Sequence, residues 1–220
     1  MRAFTYYAFI NQDRFKDERK LASRWEANWQ KHKWETVVLT EADARLHPSW
    51  DLFARELPRL PTTNPQEYER ACWVRWLAWA ARVRVGEISL FTDYDVFNAG
   101  FEPTEASRRY QAAGLVNLDS ANGSGPFVAD KDQVVAIPPV LLTLSLMHQS
   151  VRPDTKTWSD MMVWNLLYWW KLGWVQREPV CEPLHQCAKA QLVHISNHAC
   201  HEFHGHCDKL AAWDKLEGTP

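Results

Sequence analysis

The sequence lacks three features that would assign it to a class at once. Its N-terminus, Met1-Arg2-Ala3, runs directly into an apparent strand and shows no secretory apolar region. No uninterrupted apolar run approaches the length of a membrane span, so no transmembrane segment is predicted. The formal net charge of −2 gives no overall basic surface of the kind that nucleic-acid-binding proteins usually show. These absences favour an ordinary globular protein.

The sequence also lacks repeats, low-complexity tracts and linkers, so its 220 residues are expected to form a single domain, 1–220. Five Cys, an odd number, without a signal peptide favour reduced thiols and a cytoplasmic location. The sequence is rich in one residue type, with 13 Trp. Several of them recur at helical core spacing, although aromatic faces would also suit a protein that handles sugars or bases.

Strand and helix patterns alternate along the chain and predict an α/β fold. A strand, a long helix and a second strand at the N-terminus form a βαβ unit, whose crossover favours a parallel sheet. The predicted strands are Phe4–Ile10, Thr36–Leu39, Ile88–Phe91, Leu115–Leu118, Val134–Ile137 and Ala190–Ile195. The predicted helices are Asp13–His32, Glu67–Val85, Thr104–Ala113, Pro138–Gln149, Asp160–Trp170 and Asp208–Leu216. A flexible polar loop, Asp119–Pro126, is predicted between the strands Leu115–Leu118 and Val134–Ile137.

Polar residues follow the first two predicted strands. Ligands of parallel sheets bind beyond the carboxyl ends of the strands. This rule places Asn11, Gln12, Asp13 and Thr40 near any bound nucleotide. Ordinary turn and capping chemistry is the alternative explanation for each of the four.

The most informative stretch is the predicted strand Ile88–Phe91 with the two carboxylates that follow it, Asp93 and Asp95. Side chains alternate across a strand, so both carboxylates would point to the same side if the extended geometry persists. Two carboxylates on one side repel each other unless a cation lies between them. A hard divalent cation held by carboxylates and substrate phosphates meets that need. Solvated aspartates in a turn are the alternative.

This stretch resembles the DXD-type glycosyltransferases of the GT-A (nucleotide-diphospho-sugar transferase) fold. The likeness covers about residues 68–98, where a helix bearing Arg75-Trp76 is followed by Gly86, the apolar strand and Asp93-Tyr94-Asp95. The chain departs from the pattern at Cys72, where an acidic residue is common, and at Gly86-Glu87, where a Gly pair is common. The resemblance implies a GT-A-like single Rossmann-type domain with a mostly parallel central sheet and flanking helices.

The resemblance also implies roles for individual residues. Asp95 corresponds to the direct metal ligand, and Asp93 to a ribose or water-mediated contact. A third ligand from a histidine after a late strand corresponds to His194, with His198 as second choice. Arg75 would meet the donor phosphate or pair with Asp93 and organise it. The alternative for Arg75 is a surface or ion-pair arginine on a helix, and the alternative for His194 is a core histidine in a strand.

The chemistry of sugar transfer adds one further candidate. If the enzyme inverts the anomeric centre, a base must reach the acceptor hydroxyl. Asp160 is that candidate because it heads an otherwise apolar helix, where a favourable interaction with the helix dipole explains it equally well.

The resemblance predicts a glycosyltransferase that depends on Mn²⁺ or Mg²⁺ and uses a nucleotide-sugar donor, a UDP- or GDP-sugar. Residues 1–98 would form the nucleotide-sugar-binding half and residues 99–220 the acceptor-side half with its His-rich tail. The acceptor stays open among carbohydrate, lipid-linked sugar, protein and a modified nucleic-acid base.

Two other functions remain as alternatives. One is a metal-dependent phosphoesterase or nucleotidyltransferase that uses Asp93, Asp95 and a tail histidine. The other is a non-enzymatic binding module held by zinc. Its ligands would come from the Cys and His residues concentrated between Cys181 and Cys207, although their spacings fit no familiar zinc finger.

Overall fold

The computed structural model describes residues 1–10, 17–111, 113–119, 125–169, 175–183, 190–196 and 208–218. Within these ranges, eight strands form one sheet in the order β2-β1-β3-β6-β5-β7-β8-β4. The strands are β1 (Arg2–Tyr6), β2 (Glu35–Leu39), β3 (Ile88–Phe91), β4 (Val96–Asn98), β5 (Leu115–Asp119), β6 (Phe127–Asp130), β7 (Val175–Pro183) and β8 (Leu192–His194).

The sheet is mixed. The pairs β1–β2, β1–β3, β5–β7 and β7–β8 are parallel, whereas β3–β6, β5–β6 and β4–β8 are antiparallel. The predicted α/β class is therefore confirmed. Parallel strand pairs outnumber antiparallel ones by only four to three. Strands β1, β2 and β3 are mutually parallel neighbours, so their carboxyl ends lie at one edge of the sheet.

Helices cover both faces of the sheet, because side chains alternate across each strand. In β1, Phe4 belongs to the core on one face and Ala3 to the core on the other. The helices are α1 (Glu18–Lys31), α2 (Glu41–Ala44), α3 (Trp50–Glu56), α4 (Gln66–Arg82), α5 (Pro103–Tyr110), α6 (Lys131–Val151), α7 (Asp160–Trp169) and α8 (Lys209–Glu217). A short 3₁₀ helix, Leu57–Arg59, follows α3.

Tryptophans form much of both cores. Helix α1 contributes Trp25 and Trp29 to one face, whereas α4 contributes tryptophans to the other. Seven Trp side chains are among the largest that are fully buried: Trp25, Trp29, Trp73, Trp76, Trp79, Trp164 and Trp213. Packing in the two cores therefore accounts for most of the tryptophans in the sequence.

Two of the sequence predictions are wrong between residues 115 and 140. Val134–Ile137, predicted as a strand, belongs to α6, and the true strand β6 precedes it at Phe127–Asp130. A capping box causes the difference: the Asp130 side chain accepts a hydrogen bond from the Gln133 backbone N–H at 3.0 Å and so begins a helix there. Asp119, expected in a flexible polar loop, is instead the last residue of β5 and is buried.

Helix α6 is the one described helix that is long and apolar enough to cross a membrane. About a third of its most apolar 18-residue stretch is buried in the protein. The buried side is made by Val134, Ile137, Leu141 and Leu142, which share a core with α4. A core helix of a globular domain passes the same test of length and hydropathy, so this observation is weak evidence for a span.

Helix α4 leads directly to the Asp93–Asp95 segment. It ends at Arg82, and the chain turns through Gly86, whose φ of +74° lies in the left-handed region that favours glycine. Strand β3 then begins at Ile88. The predicted order of helix, glycine stop, apolar strand and paired carboxylates is therefore confirmed.

Candidate metal centre

Asp93 and Asp95 lie where β3 ends, at the edge of the sheet that the carboxyl ends of β1 and β2 share. The Thr92 backbone N–H donates to the Phe4 carbonyl at 2.9 Å, which extends the β1–β3 pairing up to the aspartates. The chain then turns: the Val96 N–H donates to the Asp93 carbonyl at 3.1 Å. The two carboxylates therefore converge through a turn, and not through the extended geometry that the sequence suggested.

His194 joins the two aspartates from the far end of the chain. Strand β4, directly after the turn, pairs with β8 so that Val96 lies opposite His194. The Ile195 N–H also donates to the Asp95 carbonyl at 2.8 Å. As a result, one ligand atom from each of Asp93, Asp95 and His194 lies within 4.8 Å of the other two. Two carboxylates and an imidazole form a donor set suited to a divalent ion such as Mn²⁺.

Asp95 has cationic neighbours on both oxygens. Its Oδ2 pairs with Lys209 Nζ of α8 at 2.7 Å, and its buried Oδ1 lies 3.5 Å from His194 Nε2. Burial alone would raise the pKa of Asp95, but Lys209 and His194 outweigh it and hold that pKa well below its usual range. Among the described residues, Oδ1 receives no hydrogen bond of normal geometry. Asp95 is thus a carboxylate with one oxygen in contact with an ammonium group and the other available to a cation.

His194 is held between two acids. Its Nε2 faces Asp95, and its Nδ1 lies 3.6 Å from Asp119 Oδ2. Burial would lower the pKa of the imidazole, but the Asp95 and Asp119 carboxylates raise it to about 10. Both carboxylates therefore favour the protonated imidazole, and a divalent ion bound at Nε2 would take the place of the proton on that nitrogen.

Arg75 organises the first aspartate. One guanidinium nitrogen donates to Asp93 Oδ1 at 2.6 Å and another to Asp160 Oδ2 at 2.7 Å. Burial raises the pKa of Asp93, an effect that Arg75 opposes by favouring the charged carboxylate. Of the two roles predicted for Arg75, the structure shows the pairing with Asp93. Arg75 is buried, so it is not a surface arginine, and its contacts are those of the ion-pair arginine that was the other alternative.

Trp76 makes this network rigid. Its indole N–H donates to Asp160 Oδ2 at 2.9 Å. Its ring packs against three other aromatic rings, those of Phe91, Phe127 and Trp164, at centroid distances of 5.2 to 5.5 Å. The Arg75-Trp76 pair in the sequence therefore combines a charge that fixes Asp93 with an aromatic anchor that fixes Asp160.

The other predicted site residues have different outcomes. Asn11, Asp13 and His198 lie outside the described residues, as do Cys187 and most of the tail His/Cys cluster. Thr40 follows β2 at the same edge of the sheet and forms the N-terminal cap of α2, where its backbone N–H donates to Asp43 at 2.8 Å.

The Asp160 carboxylate is buried and hydrogen-bonded through both of its oxygens. Its side chain is 1% exposed, and Oδ2 is engaged by Arg75 and Trp76. The Met161 backbone N–H donates to Oδ1 at 2.9 Å. A general base needs a free lone pair within reach of an acceptor hydroxyl. This environment indicates a structural role for Asp160, as the partner that holds Arg75 in place.

Sequence reasoning missed three residues of this site. Lys209 and Asp119 reach it from α8 and β5, and no local spacing in the sequence connects either one with Asp95 or His194. Glu18 reaches it from α1 beside Tyr94, and burial raises its pKa to about 7. Paired strands and packed helices bring these residues together, so only the three-dimensional arrangement reveals them.

Comparisons with known proteins support the fold. No family model matches the chain, and no curated protein matches it. The galactosyltransferase LgtC, solved in complex with donor and acceptor sugar analogues, is similar at a TM-score of 0.56 and 11% identity, over 99% of this chain and 95% of that one. A glycosyltransferase involved in glycosylation of the major capsid of PBCV-1 matches at a TM-score of 0.49 and 11% identity, over 99% and 100%. The likeness to LgtC shows that this chain has the fold of a GT-A glycosyltransferase.

Proposed function

We propose that the chain is a metal-dependent glycosyltransferase that moves a sugar from a nucleotide-sugar donor to an acceptor. The observation that carries this proposal is the convergence of Asp93, Asp95 and His194 within 4.8 Å at the carboxyl edge of β3. These ligands come from two segments about a hundred residues apart in a fold shared with a galactosyltransferase. A solvated turn would account for two nearby aspartates but not for the half-buried histidine beside them.

The three side chains fit a divalent ion, Mn²⁺ or Mg²⁺. Asp95 and His194 would be direct ligands, and Asp93, which Arg75 orients, would bind the ion or the donor ribose. An ion bound there would supply positive charge to the two phosphates of the departing nucleotide. The donor set is rich in oxygen and has a single nitrogen. It therefore suits Mn²⁺ better than it suits a structural zinc ion.

Residues of the chain itself would complete the donor site. The Asp93–Asp95 turn lies beside the carboxyl ends of β1 and β2, and the Tyr7 and Tyr94 rings meet there edge to face, 6.5 Å apart. Asn11, Asp13 and Thr40 follow these strands in the sequence and remain proposed donor contacts. In this proposal residues 1–98 bind the donor and residues 99–220 face the acceptor.

Catalysis in this proposal depends on placement and charge. Asp160 acts through Arg75 on the position of Asp93, and we do not assign it proton transfer. A UDP- or GDP-sugar is the proposed donor class. A cytoplasmic location is part of the proposal and rests on the cysteine content; Cys72, one of the described cysteines, is a free thiol.

The test is a thermal-shift screen of the full chain against nucleoside diphosphates and nucleotide-sugars, with and without Mn²⁺. A ligand at 100 times its Kd stabilises the folded state by about 2.7 kcal/mol, which is readily measured. We expect a shift from one nucleotide class only when metal is present. Asp95→Asn should lose that shift, whereas Asp51→Asn, a control on an exposed carboxylate of α3, should keep it.

Two outcomes would contradict the proposal. An Asp95→Asn protein with an unchanged metal-dependent shift would remove Asp95 from the metal site. Rapid donor hydrolysis that no sugar acceptor accelerates would favour the phosphoesterase alternative.

A further inference from the structure

The imidazole of His194 lies between two carboxylates on its opposite edges. Nε2 is 3.5 Å from Asp95 Oδ1, on the side of the proposed metal ligands. Nδ1 is 3.6 Å from Asp119 Oδ2, on the other side. The side chains of His194 and Asp119 are 14% and 4% exposed, so water competes little for either contact.

The backbone around Asp119 is irregular in a way that directs its side chain. The register between β5 and β7 shifts between Asn117 and Asp119, the signature of a bulge. The Asp119 backbone N–H donates to Asn117 Oδ1 at 2.9 Å. Bulges are common next to active sites, where they re-aim a single side chain.

Gly125 closes the space on the other side of this carboxylate. A Cβ atom placed on Gly125 would lie 1.9 Å from Asp119 Cβ and 2.6 Å from Oδ2, which no real structure tolerates. Only glycine therefore permits the Asp119 carboxylate to lie where it does. The bulge and the glycine together fix the carboxylate that faces Nδ1.

We propose that Asp119 is a positioning residue for His194, and that it accepts the Nδ1–H and so leaves Nε2 as the lone-pair nitrogen that faces Asp93 and Asp95. This inference rests on the proposed function, because it assumes a metal at that group. A ligating histidine generally donates its second ring N–H to a carboxylate or carbonyl, which fixes both the tautomer and the ring orientation. A ring movement of about half an ångström would bring Nδ1 to normal hydrogen-bond distance.

Asp119 is not a fourth ligand of the same ion. Its Oδ2 faces the ring edge opposite Nε2, and the compact ligand group consists of Asp93, Asp95 and His194 alone among the described residues. Any effect of Asp119 on metal affinity should therefore pass through His194. This expectation separates a positioning residue from a direct ligand.

The experiment is a double-mutant cycle on the full chain, with Mn²⁺ alone as the titrated probe and calorimetry as the measurement. We expect Asp119→Ala to weaken Mn²⁺ binding about 10- to 100-fold, the usual cost of losing such a partner. Asp119→Asn should fall between wild type and Asp119→Ala, because its amide oxygen still accepts from Nδ1–H. In a His194→Ala background, Asp119→Ala should have no further effect on affinity.

Three results would overturn the positioning role of Asp119. Wild-type affinity in Asp119→Ala overturns the positioning role and leaves the metal site intact. Additive losses in the double variant also overturn it, because Asp119 would then act on the ion independently of His194. If wild type itself binds no Mn²⁺, both this inference and the metal assignment of the proposed function are wrong. Urea unfolding of each variant establishes that the folded protein is titrated, and the near-isosteric Asp119→Asn serves if Asp119→Ala does not fold.

Discussion

Replacement of Arg75 by methionine is the most informative change to the structure. Methionine keeps the apolar stem of the side chain but removes the guanidinium that joins Asp93 and Asp160. The two contacts, at 2.6 and 2.7 Å, are then lost together. Asp160 is left with a buried negative charge and one remaining donor to Oδ2, the Trp76 indole.

The expected loss of stability follows from the burial of the partners. Removing one member of a buried ion pair costs about 3–5 kcal/mol, because the other charge stays buried without compensation. Asp160, at 1% exposed, should carry most of this cost, and Asp93, at 33% exposed, should recover part of its hydration. Arg70 on the same helix provides a matched control. Its pair with Glu41 is exposed, so Arg70→Met should cost no more than about 1 kcal/mol.

Urea unfolding at pH 8 measures both losses in the same buffer. The double variant Arg75→Met/Asp160→Asn should be more stable than Arg75→Met alone, since it removes the uncompensated carboxylate. Equal losses for Arg75→Met and Arg70→Met would refute the argument. A double variant less stable than Arg75→Met would show that the Asp160 charge is not the cause.

Two further predictions concern the surroundings of the aspartates. Burial raises the pKa of Glu18 from 4.5 to about 7, so the stability that this group contributes is complete below pH 4.5 and is lost as the pH rises through 7. Glu18→Gln should therefore raise the free energy of unfolding at pH 8 and leave it nearly unchanged at pH 4. An equal change in the free energy of unfolding at both pH values would contradict this. Lys209→Met should strengthen binding of Mn²⁺ alone, measured by calorimetry, because the ammonium competes for Asp95 Oδ2. Weaker binding than in the control Lys215→Met, on the exposed side of the same helix, would contradict that expectation.

Local patterns in the sequence predicted the elements that surround the site. The helix before Gly86, strand β3 and the two aspartates form one continuous segment, and each is specified by residues close to it. The wrong strand prediction for Val134–Ile137 also has a local cause. Four apolar residues fit a strand or a buried helix equally well, and the Asp130 cap decides between them.

The site itself was only partly predictable. His194 could be chosen because a histidine after a late strand has a known place in the resembling family. Asp119 and Lys209 carry no comparable signal, since one depends on a bulge in β5 and the other on the docking of α8. The burial of Asp160 could not be predicted, because it depends on Arg75 and Trp76, which lie more than eighty residues earlier in the chain.

The antiparallel pairing of β4 with β8 also fixes when the protein can acquire its site during synthesis. In the sheet formed by the described residues, β4 is hydrogen-bonded to β8 alone, so the strand after the aspartates can pair there only once residues 192–194 have left the ribosome. A nascent chain that carries Asp93 and Asp95 would hold two carboxylates without their histidine for about a hundred residues of translation. Under the proposed function, metal binding at this site would require a chain that extends through β8, and a product truncated before β8 should bind no metal there.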